Sequence, residues 1–262
     1  MIIGYGQPQL RASIDGASLL GGAALVDGRP TSLARVAEVT ESARLRIDWD
    51  GSAPVRIIAM LGLTCSAGTG LVLTGRLMGQ TSYSHDLGGT ARTQVVVELP
   101  DGSRAAWWVL PAATPNLAGL QVEVLSGGSG FDIGEFVAMP AVEIPHEPGS
   151  STERIDPSLV ERTLGGGLNV VARRTYRRVR ATPTADYLAA VKGGALAGGM
   201  DWARLTHRLA GSARVAMALH WNSLNELHQD ALYGRAVAAS ATHRAGTLYG
   251  SGEWVFEEVP PQ

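Results

Sequence analysis

A mainly β chain is what the sequence predicts: a jelly-roll or β-sandwich domain, then a second β-rich unit with two or three short helices. Three observations predict it. Apolar and polar residues alternate at period two through much of the first half, as in half-buried strands. Turn dipeptides separate these runs, at Asp50-Gly51, Gly88-Gly89, Asp101-Gly102 and Gly127-Gly128. No amphipathic helical stretch lies between them, which disfavours βαβ units and leaves an all-β sandwich.

Taken in order, residues 1–26 are a glycine-rich N-terminal extension, expected to pair with either unit or with a neighbouring subunit. Residues 27–147 are the expected sandwich. Leu45, Ile47 and Trp49 alternate with Arg44, Arg46, Asp48 and Asp50, and Leu120, Val122 and Val124 alternate with Gln121 and Glu123. Both runs read as strands with one face in a core and one in water. Val55 to Leu63, Leu71 to Leu77, Gln94 to Leu99 and Ala105 to Leu110 are apolar on both faces or nearly so, which predicts central or doubly covered strands. Asp101-Gly102 is the best hairpin turn. The stretch GGSGFDIGEFVAMPAVEIP, Gly127 to Pro145, reads as the closing strand. Phe131, Ile133, Val137 and Met139 share a face that Glu135 interrupts, and Pro140 forces an edge position or a bulge.

A Pro/Gly/Ser-rich exit then opens residues 148–167, read as a linker, and residues 168–262 form the second unit. Leu168 to Arg180 is strand-like and arginine-rich. Thr184 to Val191 is a short helix candidate. Asp201 is placed to cap a helix carrying Trp202, Leu205 and Leu209, and Ser223 with Glu226 has capping-box spacing ahead of Leu224, Leu227 and Ala231. Strands are expected again at Ala213 to Leu219, Arg235 to Thr242 and Gly252 to Val259.

Composition bounds the function. The 262-residue chain is long enough to bury a substantial core without staples, and its one cysteine, Cys65, excludes an internal disulfide. A net charge of −2 offers no overall field to nucleic acid or an anionic membrane. The N-terminus lacks a signal-peptide pattern, and the apolar run Ile57 to Leu63 is too short to span a bilayer, so a soluble protein made in a cytoplasm is expected.

No catalytic motif stands out. None of the six histidines forms a metal-ligand pair such as HxH or HExxH. Ser82, Ser84, His85 and Asp86 are sequence neighbours, and adjacency rarely gives triad geometry. The glycine clusters lead into strands with no following Lys-Ser or Lys-Thr, so they are loops and not phosphate cradles. Asp48 with Asp50, and Asp132 with Glu135, are isolated pairs that fall short of a calcium site. Catalytic, cofactor and metal residues are therefore expected to be none.

The candidate ligand or interface contacts are Trp107, Trp108, Arg174, Arg178 and Arg180. Adjacent strand residues face opposite ways, so one tryptophan can fill the core while the other stacks on a sugar or anchors an interface. The favoured reading covers both, one by the sandwich and one by the second unit. The arginines are expected on a solvated or intersubunit strand, paired with carboxylates across an interface.

The runs "ALVDGRPTSLARV" (Ala24 to Val36), "PVRIIAMLGL", "AAWWVL" and "FDIGEFVAMPAVEIP" resemble a galactose-binding-like jelly roll of the discoidin type, over about Ala24 to Pro145. Ser32-Leu33 stand where that pattern usually places an aromatic. The whole chain also resembles tail-tip proteins of long-tailed bacteriophages, in its closing "GE…P" strand and in "NELHQDALYGRAVAAS…SGEWVFEEVP" (Asn225 to Pro260). That resemblance implies a virion component of the baseplate or distal tail, assembled in the host cytoplasm. It implies a ring of identical copies contacting other tail proteins, with no catalytic residues to carry over; the charge and the short apolar runs lead to the expectation of no nucleic-acid partner and no membrane insertion. The alternatives are a carbohydrate-binding module or adhesin recognising a surface glycan and, third, a hydrolase using His85 or Glu135.

Overall fold

A computed structural model describes residues 1–88, 93–111, 114, 116–162, 166–184, 200–210, 213–239, 241–243 and 249–259. The chain is mostly strand, as expected. The first unit runs β1 (Ile2–Gly4), β2 (Leu10–Asp15), β3 (Ser18–Leu20), a 3-10 turn at Gly22–Val26, β4 (Ala34–Ala37), β5 (Ala43–Trp49), β6 (Val55–Leu61) and β7 (Gly70–Leu77). It continues with β8 (Thr93–Val95), β9 (Val97–Glu98), β10 (Arg104–Val109), β11 (Leu117–Val124), β12 (Phe131–Ile133) and β13 (Glu135–Glu143). The rest comprises β14 (Ser151–Ile155), β15 (Leu159–Arg162), β16 (Leu168–Val171), β17 (Tyr176–Ala181), α1 (Trp202–Leu209) and β18 (Arg214–Ala218). After these come α2 (Leu224–Asp230), β19 (Leu232–Ala238), β20 (Ala241–His243), β21 (Tyr249–Ser251) and β22 (Trp254–Glu258).

Two sheets make the sandwich. One has five strands, in the order β2-β5-β11-β7-β8. The other has ten, in the order β14-β17-β22-β19-β18-β1-β13-β6-β10-β9, and runs through both halves of the chain. The N-terminal extension joins them. β1 is bonded to β13 of the sandwich on one side and to β18 of the second unit on the other, while β2 edges the five-stranded sheet. The two units thus share one sheet and are not beads on a linker.

The strand period explains the cores. β5 buries Ala43, Leu45, Ile47 and Trp49 and turns its charged residues outward. Those side chains meet Ile58, Met60, Ala106, Trp108, Phe136 and Ala138 from the larger sheet. The opposite face of the same strands carries Ile57, Ala59, Trp107, Val137 and Met139, packed with Ala216, Tyr233 and Leu227 of α2. A third cluster joins Ile3, Val142 and Ile144 to Leu205, Leu209, Met217, Trp254 and Phe256. One large sheet covered on both faces explains why β6, β10 and β13 read as continuous apolar runs.

Several expectations change in detail. Gln94 to Leu99 is not central: β8 edges the five-stranded sheet and β9 edges the ten-stranded one, so one segment supplies both edges. Its apolar content reflects a corner where the chain crosses from sheet to sheet. The closing strand is broken at Gly134, where a side chain would run into the Pro30 carbonyl, so β12 pairs β4 while β13 pairs β6 and β1. Pro140 lies inside the central β13 at a register irregularity after Met139, which is the bulge and not the edge. Asp101-Gly102 turns the β9–β10 hairpin with Gly102 at φ 80°. Asp201 caps α1 by accepting the Arg204 amide at 2.8 Å, whereas Ser223 makes no side-chain cap bond to α2. The expected helix at 184–191 falls almost wholly outside the described residues. No helix among them is long and apolar enough to cross a membrane.

Candidate functional site

Residues 148–167, read from sequence as a linker, hold β14 and half of a hairpin. β14 pairs with β17 from Ser151↔Arg180 to Ile155↔Tyr176. β15 pairs with β16 from Leu159↔Val171 to Arg162↔Leu168. Between the two ladders, residues 156–158 face residues 172–175. The second strand therefore carries one extra residue, which accounts for the break at 172–175 within the single arginine-rich strand expected there. Ser158 closes the joint: its Oγ accepts the Arg173 amide at 2.9 Å and donates to the Arg173 carbonyl at 3.3 Å. The result is one two-stranded ribbon, rooted in the ten-stranded sheet at β14–β17 and free of it at β15–β16.

The free part is apolar and uncovered. Leu159, Val160, Leu168, Val170 and Val171 are 48–62% exposed. Strand alternation puts Val160, Val170 and Leu168 on one face with Arg162, and Leu159 and Val171 on the other with Glu161 and Asn169. A lone two-stranded ribbon is marginal in water, and exposed apolar groups beside unpaired strand edges mark an interaction surface. These residues are not among the sequence candidates. The available signal is a hairpin pattern, two β-branched runs around Gly165-Gly166-Gly167.

At the root, the arginines find carboxylates in their own chain. Glu153, Arg178, Glu257 and Arg235 stand directly opposite one another across β14, β17, β22 and β19. Arg178 bonds Glu257 at 2.6 Å and Glu153 at 3.2 Å, and Arg235 bonds Glu257 at 3.0 Å. Arg180 bonds Glu253 at 2.9 Å and Glu153 at 3.2 Å. The intersubunit pairing expected for Arg178 and Arg180 is thus replaced by an internal ladder that anchors the ribbon. Desolvation acts to raise the Glu257 pKa, but the flanking Arg178 and Arg235 outweigh it and hold the carboxyl below its usual value. Arg174 is exposed in the joint.

Both tryptophans are buried, Trp107 at 1% and Trp108 at 0% exposure. Trp108 lies in the sandwich core and Trp107 in the core shared with the second unit. Neither ring is available to a sugar. The Trp107 amide donates to His228 Nε2 at 3.2 Å, which ties β10 to α2.

The catalytic candidates do not converge. Ser82 Oγ meets Ser84 Oγ at 3.1 Å, and Asp86 accepts the Gly88 amide at 3.1 Å. His220 Nδ1 bonds Asp230 on the surface, and its ring meets His146 edge-on at 6.4 Å. Cys65 is buried, and burial pushes its thiol pKa up, away from nucleophilic use. Among the described residues no three His, Cys, Asp or Glu side chains form a metal site. Asp48 is held by Arg76 at 2.6 Å and by the Tyr83 hydroxyl, Asp50 by Arg11, and Asp132 by Arg35 at 2.7 Å. Glu135 differs: it is fully buried, and among the described residues the Gly28 and Arg29 amides lie near its carboxyl without reaching ordinary hydrogen-bond geometry. Burial first, and then Asp27, push its pKa up to about 8, against the pull of the Gly28 and Arg29 amides and of Arg214. At neutral pH this shift favours the protonated, neutral carboxyl.

No family model and no curated protein matches the chain. Solved structures match about half of it. One is a CBM32 module from a family 31 glycoside hydrolase of Clostridium perfringens, 11% identical, covering 51% of this chain and 96% of that one at a TM-score of 0.39. Another is a mutant of the lectin binding domain of lectinolysin in complex with Lewis b, 13% identical, covering 51% and 93% at 0.36. A third is a fucose-binding module of Streptococcus pneumoniae, 13% identical, covering 52% and 92% at 0.34. At these scores they carry no argument about function, and the sandwich rests on its own strand order.

Proposed function

We propose that this protein is a non-catalytic structural subunit of a phage tail tip or baseplate, working as multiple copies in contact with other tail proteins. One observation carries the assembly part: five large apolar side chains stand exposed on a ribbon whose root is locked by an ion-pair ladder. A ribbon with both faces apolar and both edges open suits burial between subunits. The phage setting is supported by the resemblance in arrangement described above. Immunogold labelling of tailed particles from the source strain tests it, with label expected at the tail tip. Particles that lack the chain altogether contradict it.

The second reading is a carbohydrate-binding module. One feature of this chain favours it. Tyr83 lies half-exposed beside Asp48, with the Arg46 and Arg76 guanidinium carbons 5.4 and 5.7 Å from its ring centre. An aromatic ring among polar donors suits a sugar. A glycan array decides: reproducible binding that Tyr83→Ala removes without unfolding supports this reading, and a blank array removes it.

A further inference from the structure

We propose that the β15–β16 ribbon of one copy docks on the far edge of the next copy's ten-stranded sheet, in the cleft between β9 and α2. This rests on the assembly reading and names its contact.

The ribbon springs from β14, the terminal strand at one end of the sheet, and β9 is the terminal strand at the other end. A contact that joins opposite ends of identical copies is head-to-tail, and it closes into a ring where the rotation allows. Beside β9 lies a cleft of about 680 Å³, with Val95, Val97, Leu99 and Pro100 on one side and His228 and Gln229 on the other. Val95 is 46% exposed there. Gln94 also lines the cleft and is 7% exposed. An added strand would bring backbone groups to the edge strand β9 and alternate apolar side chains to the cleft wall.

Ribbon and cleft match in chemistry. Val160, Val170 and Leu168 supply an apolar face, and Arg162 on that face meets a cleft that carries Glu98. Glu98 already bonds Arg104 at 3.0 Å on the rim, so a second guanidinium would bridge and not displace it.

Cysteine cross-linking tests the contact in the full chain. Val170→Cys and Val95→Cys are made separately in a Cys65→Ala background, and their fold is verified by circular dichroism. They are then mixed under mild oxidation. A mixed disulfide between the two introduced thiols is expected to join copies, on the order of tenfold or more above either variant alone. Disulfides between two Val170→Cys copies overturn the docking while leaving assembly through the ribbon intact. So does an oligomer that forms without the mixed disulfide. A chain that stays monomeric at every concentration overturns both the docking and the homo-oligomer. The paired variants Glu98→Arg and Arg162→Glu add a second readout: each alone weakens cross-linking and the two mixed restore it.

Discussion

The strand β10 and the ribbon strands β15 and β16 all carry several large apolar side chains, and the fates of those side chains are opposite. In β10, Trp107 and Trp108 are 1% and 0% exposed, each ring in a different core. In the ribbon, five Leu and Val side chains are 48–62% exposed. The difference lies chiefly in neighbours. β10 has β6 beside it, the five-stranded sheet on one face and α2 on the other. Among the described residues the ribbon pairs only with its own return strand. An apolar strand that its own chain leaves bare points to cover from outside.

The largest expected effect tests the covered side. Trp108→Ala should destabilise by about 3–5 kcal/mol, the range for emptying a packed aromatic site, read as a lower denaturation midpoint at unchanged m-value. A loss under ~1 kcal/mol would mean that the core is looser than its burial indicates.

Glu135 comes next, because it is a carboxyl buried completely in the interior. Its folded pKa of about 8 lies above the ordinary 4.5. The neutral acid is therefore favoured in the folded state. This contribution is complete below pH 4.5 and is lost as pH rises toward 8, at up to ~1.4 kcal/mol per pH unit. Stability measured from pH 5 to 8 should fall with this sign, and Glu135→Gln should flatten the trend. A rise with pH that Glu135→Gln leaves unchanged would contradict the assignment.

The ladder at the ribbon's root ranks third. Arg178→Ala leaves the nearly buried Glu257 with Arg235 as its remaining cationic partner among the described residues, and it should lower the melting temperature by less than Trp108→Ala does, since the arginine is solvated. A change indistinguishable from zero in thermal melts would reduce the ladder to decoration.

Much of this fold was legible in order and not in pairing. β5 and β11 announce themselves through alternation, and Asp101-Gly102 announces its hairpin, because these signals are local. Gln94 to Leu99 misled because a corner strand that serves two sheets is as apolar as a central one. Residues 148–167 looked like a linker because Pro148, Gly149 and Ser150 dominate its start, while its partner strand lies across a glycine turn. The carboxylates of Arg178 and Arg180 were equally hidden, since Glu257 and Glu253 are more than seventy residues away in sequence. The candidate site was the least legible part. What makes the ribbon a site is the absence of cover in this chain, which periodicity does not encode.

The smallest effect on stability carries the most weight for function. Val160→Ser with Val170→Ser should change monomer stability by only about 0.5 kcal/mol, as expected for exposed positions. Sedimentation velocity over a concentration series is the most direct measurement. The wild-type chain should move from its 27.4 kDa monomer to a larger species as concentration rises, and the double variant should remain a monomer throughout. Wild type and variant sedimenting alike at every concentration would contradict the claim that the ribbon is where copies meet.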